Sequence, residues 1–167
     1  LAPADWAAGW IAGPARRDHD WSDLRFESDL TLTGSSVDLL FRARAAGKTY
    51  GEAYVWTLAE EKAGPVLIAR VRHYPGGSSS GVKLTELKRV PLTGITLKGV
   101  RHKVTITARG SDIATAIDGK QVDLLTDQSQ PHGTIGFSSR EAAGATIHAV
   151  SVTGTGSPAF ATRFPAN

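Results

Sequence analysis

From residue 23 onward, hydrophobic and polar positions alternate with a period of two, the signature of half-buried strands. In Asp23–Leu32, Leu24, Phe26, Leu30 and Leu32 fall on one face, and Arg25, Glu27, Asp29 and Thr31 on the other. After a Gly34-Ser35-Ser36 turn, Val37–Arg44 repeats the pattern, with Val37, Leu39, Phe41 and Ala43 inward and Asp38, Arg42 and Arg44 outward. Glu52–Leu58 sets Tyr54, Trp56 and Leu58 against Ala53 and Val55. Val66–His73, Val82–Val90, Val100–Ala108, Asp112–Ile117, Gln121–Leu125, Gly133–Phe137 and Thr146–Thr153 complete a set of short strands. Val82–Val90 carries Lys83, Glu86, Lys88 and Arg89 and reads as an edge or solvated strand. Asp118-Gly119, between two alternating runs, is the strongest hairpin signal in the chain.

Short strands separated by turn signals, with no amphipathic helix, predict an all-β, two-sheet antiparallel sandwich of jelly-roll type. The sandwich module covers 23–154. Residues 1–22 read as an N-terminal strap pinned by Trp6 and Trp10, since Pro3, Gly9, Gly13 and Pro14 oppose a long helix there. Residues 155–167, rich in Gly, Pro and Ala, read as a linker or strap.

Composition narrows the classes. Of 167 residues, 41% are hydrophobic and 21% charged, a globular balance. The net charge is +3, but the basic residues are scattered, and only Arg16-Arg17 and Lys88-Arg89 are adjacent, so no nucleic-acid partner is expected. Without cysteine, disulfides and thiolate metal sites are excluded. No apolar run is long enough to predict a membrane span. A chain that starts at Leu1 and holds no Met is expected to be a processed protein or an excised domain.

Catalytic signatures are sparse. Glu27 and Asp29 have the i, i+2 spacing that could set two carboxylates across a glycosidic bond, but Arg25 and Thr31 beside them are ordinary decoration of a solvated sheet face. The five histidines form no H-x-H or H-x-x-x-H pair, and no G-x-S-x-G elbow is present. Asp18, Asp20 and Asp23 alternate as hard-cation loops do, making them candidate Ca²⁺ ligands as well as an ordinary acidic loop. Sugars stack their C–H faces on aromatic rings while polar side chains take the hydroxyls. On that pattern Tyr50, Glu52, Trp56, His73, Tyr74, Arg140 and Glu141 are candidate sugar-binding residues, with loops 45–52, 74–81 and 138–144 expected at one end of the sandwich. For Trp56, at i, i+2 from Tyr54, a core position is the reading favoured over a sugar-stacking one.

The strings "DLRFESDLTLTGSSVDLLFRARA", "EAYVWTL", "GVRHKVTITARGSDIATAIDGKQVD" and "GTIGFSSREAAGATIHAVSVTGTG", with the opening "ADWAAGWIAGP", resemble a concanavalin-like jelly-roll family. Such modules are attached to bacterial α-L-rhamnosidases of glycoside hydrolase family 78, and the chain resembles carbohydrate-binding module family 67 among them. The resemblance spans about residues 6–154 and implies a non-catalytic, secreted or extracytoplasmic module. It further implies binding of terminal L-rhamnose with Ca²⁺ assisting, oligo- or polysaccharide partners, and a catalytic domain in the same parent chain. Two alternatives remain open: a non-binding structural accessory packed on a catalytic domain, and a sandwich-fold glycoside hydrolase or lyase.

Overall fold

The computed structural model describes residues 20–46, 49–73, 83–139 and 144–155 and the backbone of 162–164; for 45, 46, 49 and 50 only the backbone is described. Among them no helix occurs. Eleven strands follow in chain order: β1 (Leu24–Leu32), β2 (Ser36–Ala46), β3 (Thr49–Glu61), β4 (Gly64–His73), β5 (Lys83–Pro91), β6 (Arg101–Arg109), β7 (Asp112–Ile117), β8 (Lys120–Thr126), β9 (Thr134–Ser138), β10 (Ala145–Gly154) and β11 (Thr162–Phe164). They form a six-stranded sheet, β11-β10-β1-β6-β7-β8, and a five-stranded sheet, β5-β4-β3-β2-β9, with every ladder antiparallel. This is the two-sheet jelly-roll sandwich that the period-two pattern predicts. Within the C-terminal stretch, Thr162–Phe164 pairs with β10.

The inward side chains of the two sheets interlock. Phe26 of β1 meets Phe137 of β9 edge-on, with ring centroids 5.5 Å apart. Phe41, Tyr54 and Trp56 pack on one another at 4.7–5.5 Å. Tertiary packing of such rings contributes roughly 0.5–1.5 kcal/mol per pair beyond the burial of their area. The open side between edge strands β5 and β8 is closed by the ion pair of Lys88 with the buried Asp123.

Strand β2 departs from its simple alternation. The register shifts between Phe41 and Arg44, and Arg42 adopts φ 46°, so the bulge redirects both residues between them. Arg42, expected to face solvent, is 2% exposed, and Ala43, expected in the core, joins Leu40, Ala53 and Val55 in a separate cluster on the opposite face of the sheet. The cause lies partly in Gly133 of the β8–β9 connection, which sits so near this bulge that a Cβ there would come within 2.3 Å of the Arg42 carbonyl carbon. At the hairpin between β7 and β8, Asp118 (φ 52°) and Gly119 (φ 82°) both take the left-handed region, as a type I′ turn requires.

Candidate functional site

Register fixes which loops share an end. β2 pairs Ala45 with Tyr50, and β3 pairs Ala53 with Arg72, so the β2–β3 and β4–β5 connections lie at one end. Ser138 pairs with Asp38, and Thr33 and Gly34 donate to the Gly144 carbonyl, so the chain enters and leaves the 140–143 stretch at the opposite end. The expectation that 138–144 joins the other two loops is corrected for its described ends: Ser138 and Gly144 lie at the far end of β2. Tyr50, as a side chain, and Tyr74, Arg140, Glu141 and Asp18 lie outside the described residues.

At the first end the described candidates are brought together, but their bonds are spent on the chain itself. Glu52 accepts from Gln130 Nε2 at 2.7 Å and pairs with His73 Nδ1 at 2.8 Å. Arg44 donates to Gln130 Oε1 (2.7 Å) and to the His132 carbonyl. Buried Arg42 donates Nε–H to the Ser22 carbonyl (2.7 Å) and a further N–H to the Gln130 carbonyl (3.2 Å). Tyr54 donates to Asp127 Oδ1 at 2.7 Å; burial, then that bond, push its hydroxyl up to about 12. These groups strap residues 127–133 across the mouth between the sheets, satisfying backbone groups that would otherwise be orphaned. Gln130, held by Glu52 and Arg44, thus closes the mouth beside β3, while at the same end of the six-stranded sheet Asp23, Arg25, Arg109 and Thr155 line a hollow of about 380 Å³.

Trp56 is corrected to a core residue. It is 1% exposed and donates Nε1–H to Thr115 Oγ1 of the facing sheet at 2.9 Å, so its ring offers no face to a sugar. The described acidic candidates do not fit a Ca²⁺ shell. Asp20 pairs with His132 at 2.8 Å, while Asp23 Oδ1 accepts the Gly110 N–H at 2.9 Å with the Arg42 guanidinium 3.8 Å away, a charge that opposes a cation. Among the described residues no group of three His, Cys, Asp or Glu is placed to hold a metal ion.

Around β2 and β3 the outer face of the five-stranded sheet is not presented to solvent either. Leu40, Ala43, Ala53 and Val55 are at most 3% exposed there. Beside them Thr57 and Ser138 donate to the two oxygens of Asp38, at 2.7 and 2.9 Å, stitching β3, β2 and β9 together. On the outer face of the six-stranded sheet, Glu27 pairs with Arg25 and Asp29 with Arg101, and the hollow beside them holds about 50 Å³. Ligand pockets run from roughly 300 Å³ upward.

The second end carries a concavity that the sequence reading did not single out. Between Pro91–Ile95, from the end of β5 onward, and the β7–β8 hairpin lies a cleft of about 640 Å³. Leu92, Ile95, Ile117 and Val122 give it an aliphatic floor; Thr93, Asp118, Lys120 and Gln121 stand at its polar rim. Asp118 is pre-oriented: Oδ1 accepts the Lys103 N–H at 2.8 Å and Oδ2 faces His102 Nδ1 at 2.6 Å. Burial alone would raise its carboxyl, but the bonds to His102 and Lys103 outweigh this and hold it below the usual range. The signal in the sequence was the Asp118-Gly119 pair, legible there only as a turn.

No family model matches this chain, and no curated protein matches it in sequence. Its backbone is similar to the carbohydrate-binding module CBM66 of Bacillus subtilis, with TM-score 0.53 at 14% identity, covering 88% of this chain and 74% of that one. It is similar to a galectin of Caenorhabditis elegans, TM-score 0.53 at 10% identity, covering 84% and 94%. It is also similar to a glycoside hydrolase family 16 endo-glucanase of Bacteroides ovatus, TM-score 0.52 at 9% identity, covering 71% of this chain and 54% of the enzyme. At these identities the likeness establishes the jelly-roll sandwich that this chain shares with them.

Proposed function

We propose that this chain is a non-catalytic carbohydrate-binding module of a secreted polysaccharide-active enzyme, and that its glycan site is the cleft between Pro91–Ile95 and the β7–β8 hairpin. The observation that carries the reading is the pairing, in one open cleft, of an aliphatic floor with the pre-oriented carboxylate of Asp118. A sugar ring needs both, an apolar surface for its C–H face and fixed polar groups for its hydroxyls. Asp118 would accept from hydroxyls, and Lys120 and Gln121 would donate to them. A carbohydrate-binding module and a galectin among the proteins of similar fold support the same class. L-rhamnose, the sugar implied by the sequence resemblance, is a 6-deoxy sugar whose methyl group suits Leu92, Ile95 and Val122, and neutral binding of this kind calls for no cation.

Against a hydrolase stands the sequestering of Glu27 and Asp29 by arginines beside a 50 Å³ hollow. The accessory reading has one observation in its favour: Leu84 and Leu124, 47% and 56% exposed, lie on the edge strands β5 and β8, where a neighbouring domain could cover them.

Calorimetric titration of the whole chain with L-rhamnose, rhamnose-capped oligosaccharides, galactosides and glucans, in calcium and in EDTA, tests the proposal. The expected dissociation constant is micromolar to millimolar, about −4 to −8 kcal/mol. Asp118→Asn, which keeps a residue tolerant of the left-handed turn, is expected to weaken binding about tenfold, the scale of one charge-assisted hydrogen bond. Absence of heat with every glycan sinks the carbohydrate reading; binding untouched by Asp118→Asn moves the site elsewhere.

A further inference from the structure

The cleft has two walls and one side chain that touches both. His102, on β6, is buried at 8% exposure beneath it. Its Nδ1 lies 2.6 Å from Asp118 Oδ2, in the hairpin wall. Its Nε2 lies 2.6 Å from the carbonyl oxygen of Thr96, the residue after Ile95 of the other wall. A backbone carbonyl has no proton to give, and an ionised carboxylate has none either. Both ring nitrogens must therefore donate, and only the imidazolium carries two N–H groups. The walls are tied together by two N–H groups, and the ring keeps only one of them when it becomes neutral.

We infer that His102 is the positioning residue of the cleft, a proton-operated clamp that holds both walls while it is charged and releases one of them when it becomes neutral. The glycan part of this rests on the carbohydrate reading above; the clamp itself rests on the geometry alone. Asp118 is the charged group that faces His102. Lys103, next on β6, acts on Asp118 through its backbone N–H and its charge, and Lys120 stands beyond Asp118 at the rim of the cleft. From β1 the residue opposite His102 is the apolar Leu30. Burial would lower the imidazole, but the Thr96 carbonyl and Asp118 outweigh it and leave His102 above its ordinary value.

The sign follows from linkage. A basic group raised in the folded state gives its full stabilisation below its unfolded value, about 6.5, and loses it as pH rises through the folded one. The carboxyl of Asp118 is lowered, so it stays ionised until the solution is well into acid. Between the two the clamp is closed, and alkali opens it.

The experiment uses the full chain from about pH 5 to about pH 9. Imidazole ring NMR gives the His102 midpoint, amide hydrogen exchange at 117–122 reads the hairpin wall, and titration with rhamnose-capped oligosaccharide reads the ligand. The expected result is a midpoint above about 6.5, with hairpin protection and glycan affinity both falling several-fold across it. His102→Gln, which cannot titrate, should give flat profiles at the lower level while urea unfolding confirms that it folds. A His102 midpoint at or below the ordinary value, or hairpin protection unchanged across the midpoint, overturns the clamp. If protection follows His102 but no glycan binds, the clamp stands and the carbohydrate reading falls.

Discussion

The two ends of the sandwich use polar side chains in opposite ways. At one end Arg42, Arg44, Glu52 and Tyr54 converge on the 127–133 segment, and their bonds are consumed in holding it across the mouth. At the other end His102 holds both Asp118 and the Thr96 carbonyl, and beside them lies an open cleft with an aliphatic floor. A cluster of charged and aromatic residues is therefore not by itself a site. What separates the two is whether the chain's own backbone already occupies the space the cluster faces.

The largest way to break this comparison is to remove Arg42. Arg42→Ala strips donors from two carbonyls, of Ser22 and Gln130, in a place that is 2% exposed. It should cost about 3 kcal/mol by urea unfolding. A loss under about 1 kcal/mol would mean that water reaches those carbonyls, and that the end is not closed as described.

Tyr54 probes the same end through pH. Its hydroxyl, pushed up to about 12 by burial and by the bond to Asp127, stays protonated where an ordinary tyrosine ionises. Stability from this shift is full below about pH 10 and is lost as pH rises through the folded value. Ultraviolet difference titration should show a late-ionising tyrosine that disappears in Tyr54→Phe, with unfolding accompanying its ionisation. The substitution itself should cost about 1 kcal/mol at neutral pH; an ordinary titration for Tyr54 would contradict the buried bond.

At the open end, Asp118→Asn should lower stability by only about 0.5–1 kcal/mol, since half of that side chain meets solvent and screening discounts its pairing with His102. Its effect on glycan affinity should exceed its effect on stability. The reverse ranking would make Asp118 a turn residue and no more.

Glu52→Gln is the smallest expected change and the sharpest on function. With His73 59% exposed, the loss of this partly solvated pair should cost about 0.5 kcal/mol or less and leave glycan affinity unaltered. A large drop in affinity would restore the first end as the binding site and invert the comparison.

Ten of the eleven strands stand in the sequence pattern: a sheet with one dry face repeats its hydrophobic positions every second residue whatever the partner strand is, and β4, buried on both faces near its start, shows as a short apolar run. The type I′ turn at Asp118-Gly119 is equally local, since left-handed backbone favours those residue types. The bulge at Arg42 was not legible, because it depends on how closely Gly133, ninety-one residues later, approaches the strand. Nor was the fate of Glu52 and Trp56: an acid and an indole look the same in sequence whether they face water, a sugar or the facing sheet.

Thus the sequence by itself determined the strands, the hairpin and the sandwich class, all governed by interactions over a few residues. Tertiary structure alone decided which loops share an end, which polar groups are already satisfied, and where space remains. Those depend on register and on contacts between segments far apart in the chain, such as Gln130 with Glu52 and Asp118 with His102, and no local pattern encodes them.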